Sequence, residues 1–300
     1  MKHEEKSFDV IIIGGSYAGL SAAMALGRSL RNILVIDSGA PCNRQTPHAH
    51  NFITQDGQPP AAITQAAKQQ VLRYPTVSFA QDTVTAISGV NTDFQIETAS
   101  GQAFQAKKVL FATGVKDIMP EIPGFSECWG ISVIHCPYCH GYEVRGQKTG
   151  ILTQDETAVE FGRLIKNWTK DVTIFTNGAA TFDQALTTAL NIEVIDREIS
   201  QISHQNGQIE SLEFRDGSSF PLEALYARLK FRQHSDLPKY LGCQITEEGF
   251  IEVDAFQKTS IPGIYAAGDN SNWLRAVSVA TAAGTKAGAF INHELIQENF

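Results

Sequence analysis

The feature that most constrains this chain is a glycine-rich turn directly after its first predicted strand. Residues 8–13 are rich in β-branched side chains and predict a strand. Residues 20–30 read as a helix of small residues, and residues 33–36 predict a second strand that ends at Asp37. Strand, glycine turn, helix, strand and acid, in this order, form the βαβ pattern that binds a dinucleotide. The turn comprises Gly14, Gly15, Ser16, Tyr17, Ala18 and Gly19.

The turn departs from the usual glycine spacing at one position. In the G-x-G-x-x-G register the glycines fall at positions 14, 16 and 19, and position 16 is serine. Serine is small enough for the backbone to approach a phosphate closely, and Gly15 adds freedom to the turn. Backbone N–H groups at the helix N-terminus receive a pyrophosphate, while Asp37 accepts hydrogen bonds from an adenosine ribose. We therefore expect a dinucleotide here, with Asp37 and the neighbouring Ser38 among its contacts.

Two later segments indicate which dinucleotide binds. Residues 108–114 and residues 261–269 each predict a strand that ends in a short motif. The motif residues are Ala112, Thr113, Gly114, Gly268 and Asp269. Both motifs resemble the later signatures of flavoproteins with two dinucleotide-binding domains, in which the acid of the second signature lies by the ribityl chain and pyrophosphate of FAD. The resemblance implies FAD as the cofactor, with Asp269 in that position, and a solvated turn acid is the alternative.

The most informative stretch, residues 133–143, contains two cysteines separated by two residues. Cys136 and Cys139 can close a disulfide on one helical turn, and a helix N-terminus lowers the pKa of a thiol. The thiolate is the species that attacks a disulfide or a flavin. His140 follows directly and is the candidate acid–base partner. Because the cysteines number five and no secretory signal is evident, we expect a reducing compartment, the cytoplasm.

Three other interpretations of the pair stay open. Residues 136–140 also match C-x-x-C-H, the haem attachment pattern. Haem attachment usually needs export, and no secretory signal is evident in this sequence. Zinc needs two more ligands, and His135 and His140 are too close in sequence to complete a comfortable tetrahedron. Two inert buried cysteines are the third alternative. Redox activity is the favoured interpretation, and no metal site is expected.

The order of these motifs, over nearly the whole chain, resembles the low-molecular-weight thioredoxin reductases. The resemblance implies that Cys139 faces the flavin, that Cys136 exchanges with substrate, and that the protein is a homodimer. The family's usual acid after the second cysteine is aspartate, and this chain has His140. The form Cys-Pro-x-Cys-His-Gly-Tyr-Glu is closer to a divergent branch that includes the gliotoxin-type dithiol oxidases.

The same resemblance implies the domain organisation. We expect an α/β fold of two Rossmann-like domains, the second inserted into the first. Residues 1–117 and 247–300 are expected to form the FAD domain, and residues 118–246 the inserted domain with the cysteines. The implied FAD contacts outside the motifs are Arg44, His50, Asn51 and Val84. For the first three, which share a polar loop, a merely solvated loop is the alternative.

The inserted domain repeats the βαβ pattern without its nucleotide motif. In thioredoxin reductases a G-x-G-x-x-A turn here holds NADPH, but Thr153 and Asp155 replace the glycines and only Ala158 fits. Glu156 adds a carboxylate, and a like charge a few ångströms from a pyrophosphate costs on the order of 1–4 kcal/mol. Residues 176–178 lack the family's basic cluster for the 2′-phosphate. We therefore predict a scaffold that has lost the nicotinamide site.

Electrons must then travel by another route. Either a dithiol substrate reduces the disulfide and FAD passes the electrons to oxygen, or an electron protein such as a ferredoxin reduces FAD for a thioredoxin-like protein. The first route is favoured. An NADPH-fed thioredoxin reductase and a non-catalytic flavin or disulfide sensor remain as alternatives. The net charge of −8 argues against nucleic acid or an anionic membrane as partner, and no stretch reaches the roughly eighteen apolar residues of a membrane span.

Overall fold

The computed structural model describes residues 6–299, which form two compact units. The first contains the chain up to Arg44, Phe52–Lys116 and the chain from Phe231 onward, and the second contains Gln45–Asn51 and Asp117–Lys230. The chain therefore returns to the first unit at residue 231, earlier than the expected 247, because the short strand that begins there pairs with the strand at 115–117. The excursion of residues 45–51 into the second unit has no counterpart in the expected division.

The strands, in chain order, are β1 (Lys6–Ile13), β2 (Ile33–Asp37), β3 (Val77–Gln81), β4 (Val84–Val90), β5 (Asp93–Thr98), β6 (Ala103–Phe111), β7 (Val115–Asp117), β8 (Val133–Ile134), β9 (Thr149–Leu152), β10 (Val172–Phe175), β11 (Glu193–Ile195), β12 (Ile199–Gln205), β13 (Gln208–Phe214), β14 (Ser219–Pro221), β15 (Ala224–Ala227), β16 (Phe231–Gln233) and β17 (Ile264–Ala266). The helices are α1 (Tyr17–Arg28), α2 (Pro60–Val71), α3 (Phe125–Cys128), α4 (Pro137–His140), α5 (Thr157–Ile165), α6 (Gln184–Ala189), α7 (Leu237–Tyr240) and α8 (Val277–Gln297).

The first unit is built on a sheet in the order β3-β2-β1-β6-β5-β4, with β17 also paired to β6. The strands β1, β2, β3, β6 and β17 are parallel, and the β4–β5 hairpin adds antiparallel strands. Alternate residues of β1 face opposite sides of the sheet, as the two-residue period of a strand requires. Val10 and Ile12 pack with the helices α1 and α8, while Ile11 packs with the hairpin side. Both faces of the central strand are therefore buried.

Helices α1 and α8 approach each other at small residues. A side chain at Gly284 would collide with the carbonyl of Ala18, and one at Gly288 would lie 2.8 Å from the carbonyl oxygen of Ala22. Glycine is thus required on α8 where its backbone meets that of α1. The contact holds the start of α1, where the glycine turn ends, against the C-terminal helix.

The second unit has a parallel sheet in the order β11-β10-β9-β15-β8 and an antiparallel sheet in the order β12-β13-β14. Ile174 and Tyr226 pack in the cluster that contains helix α5. Their neighbours Phe175 and Leu225 pack with the antiparallel sheet. The parallel sheet is therefore covered on both faces, as parallel sheets require.

Within residues 6–299, no helix combines the length and the apolar character that crossing a membrane demands.

Candidate functional site

The dinucleotide motifs of the first unit all emerge at one edge of its sheet. Register pairs Ile13 of β1 with Ile36 of β2 and with Phe111 of β6, and it pairs Phe111 with Ala266 of β17. The strands are parallel, so their carboxyl ends coincide, and the residues that follow them lie side by side. Those residues are the glycine turn, Asp37, Ala112 to Gly114, and Gly268 with Asp269. Ligands bind at this edge in open α/β sheets.

The glycine turn forms a backbone cradle that tolerates no side chain at Gly14 or Gly19. Gly14 has φ +107°, and a side chain there would collide with the carbonyl of Ala112. A side chain at Gly19 would collide with the carbonyl of Gly14. Ser16 is the N-cap of α1, and its side chain makes no capping hydrogen bond. The first N–H groups of this 12-residue helix therefore have no partner in the Ser16 side chain, which suits an anionic ligand.

Asp37 is fixed at the end of β2 by the turn itself. The N–H of Gly15 donates to its Oδ1 at 3.1 Å. A Cβ at Gly15 would lie 3.0 Å from the Cβ of Asp37, so the contact requires a small residue at this position. The carboxylate is held by one oxygen, and its other oxygen suits a ribose hydroxyl.

Asp269 is ion-paired with Arg275, whose Nε lies 3.6 Å from its Oδ2. Both side chains are mostly buried, with 20% and 15% of their surface exposed, respectively. This geometry differs from that of a solvated turn acid, the alternative that the sequence left open.

Two amide side chains near the Gly268-Asp269 motif were not predicted from the sequence. Asn270 is fully buried and donates from Nδ2 to the Phe111 carbonyl at 2.9 Å and to Thr113 Oγ1 at 3.4 Å. Gln233 donates from Nε2 to the carbonyls of Gly249 and Asn270. The side-chain oxygens of Asn270 and Gln233 are buried and accept no hydrogen bond. Two unpaired buried acceptors fit a group that brings donors, such as the hydroxyls of a ribityl chain.

The position directly after the Gly268-Asp269 motif could have drawn attention to Asn270. Gln233 lies in a short strand far from any motif, and no sequence signal identifies it.

The other expected cofactor contacts of the first unit differ in exposure. Val84 is buried at the start of β4, whereas Ser38 and Arg44 are exposed. Gly114 has φ +63°, and a Cβ added there would have no atom within 4 Å. Tyr17 lies under α2, where its hydroxyl is 3.4 Å from the Pro60 carbonyl, and burial raises the pKa of its phenol.

The cysteine pair lies in the second unit, at a single helical turn. Cys136 is the N-cap of α4, Pro137 is its first residue, and a disulfide joins Cys136 to Cys139 with 5.3 Å between their Cα atoms. The N–H groups of Cys139 and His140 donate to the Cys136 carbonyl at 3.2 and 3.1 Å. Helix α4 has only four residues, so the helix-dipole activation expected for these thiols has little support. Activation must come from neighbouring side chains.

His140, next to Cys139 in the chain, has a lowered pKa. Burial lowers the pKa of its imidazole, repulsion from the protonated form of His50 lowers it further, and Glu143 opposes the shift. A histidine with an ordinary pKa near 6.5 that is lowered in this way is neutral near pH 7. His140 is therefore ready to accept a proton from a thiol.

His50 stands in a place that the sequence did not predict. Its ring centroid lies 6.2 Å from that of His140, at a near-perpendicular angle, and its Nδ1 lies 3.7 Å from Oε1 of Glu143. The resemblance implied a contact with FAD for His50 and for Asn51. Both residues belong to the segment 45–51 that packs with the second unit, and their contact with FAD stays a prediction.

Two other cysteines differ from the pair in their surroundings. Cys128 is fully buried, and burial raises the pKa of its thiol to about 11. Burial also raises the pKa of the Cys243 thiol. Raised pKa values leave little thiolate near neutral pH, so neither residue has the reactivity that the C-x-x-C pair is expected to have.

The nucleotide turn of the second unit is filled by its own side chains. Asp155 lies just before α5, where its Oδ1 accepts hydrogen bonds from the Thr157 N–H at 3.0 Å and from the Thr153 hydroxyl at 3.3 Å. These hydrogen bonds lower the pKa of the carboxyl, led by the one from the Thr157 hydroxyl. Gln154 donates to the Asn177 carbonyl at 3.1 Å and so ties this turn to the end of β10. An internal carboxylate thus lies at the N-terminus of α5.

Comparison with known proteins places the whole chain in one group. Residues 8–284 match the model of the pyridine nucleotide-disulphide oxidoreductase family. The thioredoxin reductase sirT of Leptosphaeria maculans is 33% identical over 96% of this chain and 94% of its own length.

Two solved structures share the fold. An oxidoreductase from Agrobacterium tumefaciens has a TM-score of 0.91 at 36% identity, over 97% of this chain and 99% of its own. The putative thioredoxin reductase TrxB from Bacillus anthracis has a TM-score of 0.93 at 31% identity, over 98% of this chain and 100% of its own.

These similarities confirm the two-domain α/β fold and the thioredoxin reductase-like resemblance that the motifs predicted. They also confirm FAD as the cofactor. The chain belongs to the pyridine nucleotide-disulphide oxidoreductase family and is a thioredoxin reductase-like, FAD-binding oxidoreductase.

Proposed function

We propose that this protein oxidises a dithiol to a disulfide through Cys136 and Cys139, and that it does so with oxygen as acceptor and without NADPH. The observation that carries the proposal is the carboxylate of Asp155 at the N-terminus of α5. A dinucleotide pyrophosphate needs the free N–H groups and positive potential of that helix end. Asp155 takes one of those N–H groups, that of Thr157, and brings a negative charge of its own.

The loop that follows β10 also supports the proposal. Where NADPH-dependent relatives have a basic cluster for the 2′-phosphate, this chain has Thr176, Asn177 and Gly178. Thr176 donates its hydroxyl to the Gly178 carbonyl at 2.5 Å, and the Asn177 amide oxygen accepts from the Ile199 N–H at 2.7 Å. These polar groups are engaged within the unit, and residues 176–178 themselves carry no cation for a phosphate.

The proposed reaction begins with the substrate dithiol. One substrate thiol gives its proton to His140, and the thiolate attacks Sγ of Cys136, so that the Cys136–Cys139 bond breaks. The second substrate thiol then attacks the mixed disulfide and releases Cys136. The substrate leaves as a disulfide, and its two electrons and two protons remain on the cysteine pair. Bound FAD would supply the electron transfer that returns the pair to a disulfide, and the two electrons and two protons would leave with oxygen as hydrogen peroxide.

The cofactor is held by the sheet edge of the first unit. We assign the pyrophosphate to the glycine turn and the start of α1, and the ribose to Asp37. We assign the ribityl chain to Asp269, Asn270 and Gln233. On the family resemblance we propose a cytoplasmic homodimer with these sites in each protomer.

A protein-fed reductase is the second candidate function. The relatives are named thioredoxin reductases, and an electron protein such as a ferredoxin would replace NADPH as donor. The chemistry at the cysteines would then run in reverse, with Cys136 attacking the disulfide of a thioredoxin-like protein. The same loss of the nucleotide turn supports both candidates, so the test must separate them.

The test is anaerobic bleaching of the flavin absorbance in the purified holoprotein. NADPH, NADH and dithiothreitol are added in turn. We expect dithiothreitol to bleach the flavin and neither nucleotide to do so, and we expect one hydrogen peroxide per dithiol once oxygen is admitted. Fast bleaching by NADPH would overturn the proposal. Bleaching by a reduced ferredoxin, without peroxide formation from dithiol, would favour the second candidate.

A variant pair tests whether Asp155 is the obstacle. We expect Thr153→Gly combined with Asp155→Gly to strengthen NADPH binding about tenfold or more, because removal of a like charge near a phosphate recovers about 1–4 kcal/mol. Asp216→Gly is the matched control, because Asp216 also accepts hydrogen bonds within its own turn, from Ser218. Binding is measured by quenching of protein fluorescence. Equal affinities in the two variants would show that the carboxylate does not block the site.

A further inference from the structure

The segment that carries His50 is anchored along the second unit at several points. Gln45 donates from Nε2 to the Ser126 carbonyl at 3.0 Å, and a side chain at Gly130 would lie 2.9 Å from Oγ1 of Thr46. Ala49 is buried with 7% of its surface exposed. The segment 45–51 is therefore held against the unit that bears the disulfide, and it delivers His50 to one place.

His50 is close there to both His140 and Glu143. The His50 ring stands edge-on to the His140 ring at 6.2 Å between centroids, and its Nδ1 is 3.7 Å from Glu143 Oε1. Only 18% of the His50 side chain is exposed. The ring separation is within the reach of one bridging water or a small side-chain rotation. The Glu143 carboxylate near Nδ1 can stabilise a positive charge on His50.

The chemistry of dithiol oxidation gives this arrangement a use. Each dithiol must lose two thiol protons in succession as its two thiolates form, and the breaking disulfide needs two protons for its own thiols. One imidazole holds one proton at a time. A second imidazole beside the first, backed by a carboxylate, lets His140 pass on its proton and become neutral again before the second thiol reacts.

We propose that His50, paired with Glu143, is a proton-relay residue. It positions His140 and accepts its proton, so that His140 becomes neutral again during thiol–disulfide exchange at Cys136 and Cys139. The inference rests on the proposed function only in assigning exchange to this pair, and it holds for either direction of electron flow. His140 is the catalytic acid–base, and His50 acts through it. The other titratable groups that face this cluster are His48, whose ring is 6.4 Å from His50, and Tyr226, which lies near Glu143.

The experiment follows a single turnover of the oxidised holoprotein with dithiothreitol, without oxygen and without nucleotides. Samples are quenched with acid, and the oxidised dithiothreitol is measured against time. We expect His50→Ala to slow the exchange about tenfold at pH 7, a part of the ~10²-fold or more that a full acid–base group supplies. Added imidazole should restore most of the rate to His50→Ala. His48→Gln, in the same segment, should stay within about twofold of the unmodified protein.

A second variant separates proton relay from packing. His50→Gln keeps the size and the hydrogen-bonding capacity of the side chain but takes up no proton, so we expect it to be as slow as His50→Ala and insensitive to imidazole. A normal rate in His50→Gln, or no effect of imidazole on His50→Ala, would overturn the proposal in favour of a structural role. Failure of the proposed function would appear elsewhere, as flavin bleaching by NADPH, and would leave this comparison intact.

Discussion

Replacement of Cys136 by serine abolishes turnover of any dithiol, with an expected loss on the order of 10³-fold or more, and replacement of Cys139 has an equal effect. The reason is chemical, because a serine hydroxyl neither forms a disulfide nor ionises near neutral pH. The two cysteines lie on one short turn, with 5.3 Å between their Cα atoms, and they form the disulfide with each other. Loss of either sulfur therefore removes the bond. Turnover is measured as peroxide formed per dithiol added.

The two serine variants should differ in what they trap. Cys139→Ser keeps the thiol that is expected to exchange with substrate, so its Cys136 thiolate should attack an added disulfide, release one thiol of it and hold the other half as a stable mixed disulfide, visible as added mass on the intact chain. Cys136→Ser should trap far less. Cys42→Ser is the control, since Cys42 is exposed and lies outside the site, and its turnover should stay within about twofold of the unmodified protein. Trapping by Cys136→Ser alone would reverse the roles assigned by resemblance.

The sheet edge illustrates what the sequence could predict. Gly14, Asp37 and Asp269 each follow a run of β-branched or apolar residues, and parallel strands end at a common edge, so pattern and topology together were enough. The spacing of Cys136 and Cys139 was likewise sufficient for the disulfide. Such predictions succeed because the chemistry depends on residues that are close in sequence or attached to strand ends.

The rest depended on contacts between residues far apart in sequence. His50 and His140 are 90 positions apart, and only the path of segment 45–51 brings them together. Gln233 reaches Asn270 through a short strand whose sequence carries no signal. The pattern showed that Asp155 replaces a glycine, but only the structure shows its carboxylate accepting the Thr157 N–H.

A buried ion network behind the cofactor edge was also beyond the sequence. Lys108 lies within β6 and is fully buried, where its Nζ is 2.6 Å from Oε1 of Glu294 and 2.6 Å from Oε1 of Glu298. Lys258 pairs with the other oxygen of Glu294, and Tyr265 of β17 donates to it at 2.8 Å. A lysine in a predicted strand would ordinarily be placed at the surface. The network ties α8 to the two strands that end at the cofactor motifs.

Replacement of Glu294 by glutamine should lower the free energy of unfolding of the first unit by about 3 kcal/mol, because it removes the carboxylate that pairs both with the buried ammonium of Lys108 and with Lys258. The measurement is urea unfolding of the holoprotein, followed by the fluorescence of released flavin. Glu298→Gln is the matched control. That carboxylate is more exposed and makes one of the three ion pairs described above, whereas Glu294 makes two, so loss of the Glu298 carboxylate should cost no more than about 1 kcal/mol.

A double variant and the pH dependence decide whether the charge pair is the cause. Lys108→Met combined with Glu294→Gln should recover much of the loss, since a buried pair costs more to break than to replace by apolar packing.

Burial raises the pKa of Glu294, but hydrogen bonds from Lys108, Lys258 and Tyr265 outweigh it and hold that pKa at about 2. A carboxyl group whose pKa is lowered in the folded state stabilises the fold at pH values above its ordinary pKa, near 4.5. That stability is lost as the pH falls from 4.5 toward 2. The unmodified protein should therefore lose stability over this range more steeply than Glu294→Gln. Two outcomes would show that the network does not hold α8 in the way its geometry implies. One is a double variant whose loss of unfolding free energy equals the sum of the losses in the two single variants. The other is a parallel decline of stability with pH in the unmodified protein and in Glu294→Gln.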